Sequence, residues 1–126
     1  MRYVLDASAL LALLNDEPGA ERVGRVLPDA IISAVNYAEV GSRLADHGED
    51  SNVIERSLRL IGIEIIPFDA RQADIAVRLR AITRSAGLSI GDRACLALAV
   101  QMGSIAVTAD RAWQNVDPGC KVEFIR

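Results

Sequence analysis

The 126-residue chain reads as one α/β domain: a short, mainly parallel sheet with helices on both faces. Three observations predict this. Short runs of β-branched and apolar residues alternate with longer runs of helical period. Glycine and proline stand at most of the joints. The hydrophobic fraction is 51%, enough for a full core, and at this length folding buries roughly two-thirds of the unfolded chain's surface.

Each element is justified by its residues. Tyr3–Leu5 is a first strand. Ser8–Asn15 is a leucine-dense helix, stopped near Glu17-Pro18-Gly19. Ala20–Leu27 is a second helix, closed by Pro28, and Ala30–Ser33 a short strand. Val35–His47 is a helix ending at Gly48, and Asn52–Ile61 another ending at Gly62. Ile63–Ile66 is a β-branched strand closed by Pro67. Ala70–Ser85 is a long amphipathic helix ending at Gly87, with Ala73, Ile75, Ala76, Leu79 and Ile82 on or near its buried face. Ser89–Met102 is a helix ending at Gly103. Ile105–Thr108 and Val122–Ile125 complete the strands. There is no internal repeat, linker or low-complexity tract, so residues 1–126 form a single domain.

Composition narrows the function. A net charge of -3 and a pI near 5.1 exclude a protein that coats nucleic acid by bulk charge, but not a nucleic-acid enzyme. Lys121 is the one lysine, so the cationic side chains are arginines, suited to bidentate phosphate contact. No apolar run approaches the ~20 residues that span a bilayer, and the N-terminus lacks a signal-peptide pattern. Cys95 and Cys120 make neither a disulfide framework nor a metal motif. A reducing cytoplasm is the expected compartment.

Four acids stand out. Asp6 closes the first strand and Asp110 comes after the run Ser104–Ala109. Glu39 lies about one turn into its helix, and Asp92 opens the helix before Arg93–Met102. Parallel sheets bind ligands beyond the carboxyl ends of their strands, where all four can meet. Carboxylates gathered there repel one another, an arrangement that calls for a divalent cation. Each also has a local explanation. Asp6 can cap the next helix, and Glu39 can pair with Arg43 at i,i+4. Ser89 and Asp92 form a capping-box pattern, and Asp110 can cap a turn through Arg111-Ala112-Trp113. One rim that needs all four is the stronger reading. The remaining acids fit turns, caps and solvated faces: Asp16-Glu17, Glu49-Asp50, Asp69, Asp74 with Arg78, and Asp117. His47 is the only histidine, near a helix end, so Ser–His or Cys–His nucleophilic chemistry is excluded. No glycine-rich phosphate loop is present.

Four segments together resemble the PIN-domain ribonucleases of the VapC toxin type. They are Val4-Leu5-Asp6-Ala7-Ser8-Ala9-Leu10, Val35-Asn36-Tyr37-Ala38-Glu39-Val40, Leu88–Ala99 with Ser89-Ile90-Gly91-Asp92-Arg93 near its start, and Val107-Thr108-Ala109-Asp110-Arg111. Their order and spacing span nearly the whole chain. The resemblance implies a PIN-like three-layer α/β/α sandwich in which Asp6, Glu39, Asp92 and Asp110 hold Mg²⁺ or Mn²⁺. Ser8 and Thr108 would be supporting hydroxyls, and Asn36 an outer supporting group. Some relatives carry a further acid two positions after the last one; here that position is Ala112.

The activity implied by this resemblance is hydrolysis of RNA phosphodiester bonds to 5′-phosphate and 3′-hydroxyl ends, with metal-bound water as nucleophile. Arg93, Arg80 and Arg84, with Arg71 and Arg78, are candidate phosphate contacts. The leucine-rich helix is apolar all round, so either the domain buries it or a partner covers it. The resemblance favours a groove lined by Leu10, Leu11, Leu13 and Leu14 that takes an antitoxin segment, and a homodimer. Two other functions remain: a PIN-domain nuclease in RNA or DNA processing unrelated to toxicity, and an acidic receiver-like signalling module. The receiver wants an acidic pair after the first strand and a lysine near the last. Asp6 stands alone, and Lys121 belongs to the run into Val122.

Overall fold

The computed structural model describes residues 2–126. Five strands form one all-parallel sheet: β1 (Tyr3–Leu5), β2 (Ala30–Ser33), β3 (Glu64–Ile66), β4 (Ile105–Thr108) and β5 (Val122–Phe124). Their order across the sheet is β3-β2-β1-β4-β5. Six helices connect them: α1 (Ala7–Leu14), α2 (Ala20–Val26), α3 (Ala34–Asp46), α4 (Ser51–Ile61), α5 (Ala70–Thr83) and α6 (Ile90–Met102). Each of the five expected strands and six expected helices is present, within one or two residues of its expected bounds.

Strand side chains alternate between the two faces, so each central strand feeds two cores. Leu5, Ile32 and Val107 pack with Leu10, Val23, Val40 and Leu58, under α1 to α4. Val4, Ile31 and Ala106 face the opposite way, against Ile75, Leu79, Leu96 and Trp113, under α5 and α6. This is the three-layer α/β/α sandwich. Cys95 and Cys120 are both unbridged. Among the described residues no helix is long and apolar enough to cross a membrane.

Three details depart from the expected pattern. Pro28 does not end the turn it enters: α2 runs into a 3-10 turn, Leu27–Asp29, whose opening position needs no N–H from proline. The buried stripe of α5 is Gln72, Ile75, Ala76, Leu79 and Thr83, while Ile82 is 52% exposed. Thr83 can take the buried place because its hydroxyl donates to Leu79 O at 2.8 Å. Finally, the leucines of α1 are not one exposed row. Leu10 is fully buried and Leu11 nearly so, in the domain's own core; only Leu13 and Leu14 are partly exposed. Of the four leucines, Leu13 and Leu14 are therefore the ones this eight-residue helix leaves partly on the surface.

The C-terminal tail closes the α1–α2 turn. Arg126 donates to Pro18 O at 2.8 Å and to Glu17 Oε1 at 3.1 Å. Gly19 sits at φ 97°, and a Cβ there would lie 2.6 Å from Ile125 O, so left-handed backbone and close approach both require glycine.

Candidate active site

The chain leaves β1 towards β2 and β3 on one side and returns to β4 and β5 on the other. The crevice between the carboxyl ends of β1 and β4 is therefore the switch point of the sheet. Asp6 is placed there by the backbone itself, since its N–H donates to Val107 O at 3.0 Å and extends the β1–β4 ladder. Its side chain then caps α1. Oδ1 accepts from Ala9 N at 2.8 Å and from Ser8 Oγ at 2.7 Å, and Oδ2 accepts from Thr108 Oγ1 at 2.5 Å. The same two hydroxyls anchor the loop after β4, because Ala109 N donates to Ser8 Oγ at 2.9 Å and Asp110 N to Thr108 Oγ1 at 3.0 Å.

Asp92 is held at the start of α6 by a reciprocal capping box. Its Oδ2 accepts from Ser89 N at 2.8 Å while its own N–H donates to Ser89 Oγ at 3.1 Å. Glu39 comes from α3. Buried Asn36, one turn earlier, donates through Nδ2 to Glu39 Oε1 at 2.8 Å and to Gly91 O at 3.0 Å, so one amide ties α3 to the first turn of α6. Gly91 makes room for this: a Cβ there would lie 2.6 Å from Glu39 Cδ. Asp6, Glu39 and Asp92, with Ser8 and Asn36, line one cavity of about 370 Å³. Asp110, the fourth of the expected acids, is not among the lining residues. It caps the 3-10 turn Arg111–Asn115 by accepting from Ala112 N at 2.9 Å, and it is close enough for its charge to act on Asp92.

The sequence matches the PIN-domain family over residues 3–118. The chain belongs to the PIN-domain family. It is 32% identical to ribonuclease VapC42 of Mycobacterium tuberculosis over 110 residues, which cover 79% of this chain and 84% of that protein. It is also 32% identical to ribonuclease VapC of Mycolicibacterium smegmatis over 125 residues, covering 90% and 95% of the two chains. In fold it is similar to a chain of a toxin–antitoxin complex from Klebsiella pneumoniae, with a TM-score of 0.76, 18% identity and 98% of both chains covered.

The electrostatics of this PIN domain's cavity are those of crowded acids. Burial pushes the Asp6 carboxyl up to about 6; the donors Thr108, Ser8 and Ala9 N oppose the shift, and the charge of Asp92 adds to it. Burial also raises Asp92. The Ser89 bonds pull it down, Asp110 pushes it further up, and Arg93 pulls it down again. The donors facing the cavity are carboxylate, hydroxyl and amide oxygens, the ligands of a hard cation. Asn36 Oδ1 is buried and, among the described residues, has no hydrogen-bond partner. Among the described residues no three of the acids converge tightly enough to cage an ion unaided.

Arg93, Arg80 and Arg84 do not line the cavity. Arg93 turns away and donates to Ala76 O at 2.9 Å, binding α6 to α5, while Arg80 and Arg84 are exposed at or beyond the C-terminal turns of α5. His47 is exposed at the end of α3, its ring against Arg43 O. The cavity instead includes Glu17, Arg43 and Arg126. Of these, Arg43 had a sequence signal. Asn36, Glu39 and Arg43 are spaced three and four apart, one stripe of a helix. Arg43 forms no ion pair with Glu39 among the described residues. Glu17 and Arg126 arrive through a contact between residues 109 apart, which no local pattern announces. A shallower depression along α4 holds one acid, Glu55, already paired with Arg59 at 3.7 Å, and so does not compete as a site.

Proposed function

We propose that this PIN domain is a Mg²⁺- or Mn²⁺-dependent endoribonuclease and the toxin of a toxin–antitoxin pair. The observation that carries the reading is the buried carboxylate of Asp6 sharing one cavity with Asp92 and Glu39 at the carboxyl ends of the central strands. The two VapC ribonucleases, each 32% identical, support RNA as the substrate class. The fold shared with a toxin–antitoxin complex agrees with an antitoxin partner.

The residues fit a hard divalent ion. Desolvated, mutually repelling oxygens raise their own proton affinity, and a cation relieves what protons otherwise relieve. Asp6 and Asp92 are its principal holders, with Glu39 and Asp110 beside them. When bound, such an ion supplies an activated water and charge neutralisation at the phosphate. The protein's own part is orientation. Thr108 and Ser8 fix the plane of the Asp6 carboxylate, the capping box engages Asp92 through Oδ2 alone, and Asn36 holds Glu39.

A homodimer and an antitoxin segment over the Leu13–Leu14 side of α1 complete the proposal, since Leu10 and Leu11 are spoken for by the core. The decisive test is inducible expression of the wild type and Asp6→Asn, with sequencing of RNA 5′ ends. New 5′-phosphate ends and growth arrest with the wild type alone are the expected outcome. Equal RNA ends in both strains would sink the proposal.

A further inference from the structure

A phosphodiester chain cannot approach three carboxylates on charge grounds unless cations receive it, and a resident metal serves only the phosphate under attack. Two arginines line the acidic cavity, Arg43 and Arg126. Arg126 is already engaged: one guanidinium nitrogen donates to Pro18 O at 2.8 Å and another to Glu17 Oε1 at 3.1 Å. Arg43 is exposed, and among the described residues its guanidinium has no hydrogen-bond or ion-pair partner. The local use open to it, an i,i+4 pair with Glu39, is not made; Asn36 takes Glu39 Oε1 instead.

The α3 stripe therefore runs from buried Asn36, through the Glu39 carboxylate, to a free cation at the mouth of the cavity. Arg93 is next to Asp92 in sequence but turned to Ala76 O, so it does not share that place. We propose that Arg43 is the substrate-positioning residue of this site and binds a backbone phosphate of the RNA as it enters. The proposal rests on the ribonuclease reading above and adds to it the group that grips the chain. A guanidinium can make two parallel N–H···O bonds to one phosphate, which sets the strand's direction as well as its affinity.

The test uses the intact protein with Mn²⁺ and a labelled single-stranded RNA. It compares the wild type with Arg43→Gln, Arg43→Lys and an exposed control on α4, Arg56→Gln. Arg43→Gln should raise KM about tenfold and change kcat by less than about threefold, as loss of a charged phosphate contact does. It should also reduce the slope of log KM against log salt by about one contact's worth. Arg43→Lys should recover part of the KM, because it keeps charge but not the fork. Mn²⁺ affinity, read by electron paramagnetic resonance, should stay within about twofold in every variant. A KM and salt slope for Arg43→Gln equal to those of Arg56→Gln would overturn the proposal while leaving the nuclease standing. So would a loss traced to weakened Mn²⁺ binding. A wild type that cuts no RNA would remove the ribonuclease reading and this inference with it.

Discussion

At the scale of single residues, the acids do two jobs. Asp6 caps α1, Asp92 closes the capping box of α6 and Asp110 caps the turn after β4. Their oxygens are thereby aimed by helix N-termini, where the backbone also favours negative charge. The local and functional explanations of each acid are compatible, because each cap uses one oxygen; in Asp92 and Asp110 it is the only one engaged, and in Asp6 the second accepts from Thr108 Oγ1. Asp6→Asn keeps the capping oxygen but removes the charge. It should reduce RNA cleavage by more than about a thousandfold while raising the urea midpoint of the metal-free protein at pH 7.5. A lower midpoint would mean that the charge stabilises the fold.

The pH dependence has its origin in the same group. The Asp6 carboxyl is raised from 3.8 to about 6, so the folded protein binds this proton more tightly than the unfolded chain. Its contribution is fully favourable below 3.8 and is lost as pH rises through about 6. Metal-free protein should therefore lose roughly 3 kcal/mol from this residue across that window. Urea titrations of wild type and Asp6→Asn from pH 4 to 7.5 measure it as the difference between the two profiles. Gly91 gives a steric counterpart. Gly91→Ala drives a Cβ into the Glu39 carboxylate and should lower kcat/KM at least about tenfold by displacing it, with far-UV circular dichroism unchanged.

At the scale of elements, helical period predicted where α5 lies but not its full buried face. Ile75, Ala76 and Leu79 are buried as their spacing implies, yet the next places go to Gln72 and Thr83 and not to Ile82. Gln72 donates to Pro67 O and Thr83 to Leu79 O, so each buried donor finds a backbone acceptor, although Gln72 Oε1 has no partner among the described residues, and hydropathy alone ranks both residues as surface. Leu79→Ala should cost about 2–5 kcal/mol of stability, and Ile82→Ser less than about 0.5 kcal/mol, both by chemical denaturation. The helix α1 behaves similarly. A helix apolar all round invites a partner, but here the sheet and neighbouring helices bury Leu10 and Leu11 themselves.

At the scale of the whole molecule, the fold's logic is the reversal of strand order at β1. It brings residues 6, 92 and 110 to one end of a sheet whose opposite edges are β3 and β5. If cation binding offsets the desolvation of these acids, Mg²⁺ or Mn²⁺ should raise Tm clearly at pH 7.5 and much less at pH 5, where protons already occupy Asp6. Differential scanning calorimetry at the two pH values decides this; an equal rise at both would place the ion elsewhere.

The amino-acid order alone carried the strands, the helices and the acids at their ends, because period, turn residues and caps are local and each is written within a few positions. It also carried Ser8, Thr108 and Asn36 as neighbours of those acids, through motifs that span the chain. The direction in which each long side chain finally points was not written there. Arg93 tied to Ala76 O, Arg43 left without a partner among the described residues, and Arg126 brought to Glu17 across 109 positions all depend on which backbone oxygens and carboxylates come within about 3 Å after the layers pack. Flexible arginines choose among such partners by small differences in distance. Those distances exist only once the sheet and both helical layers are in place.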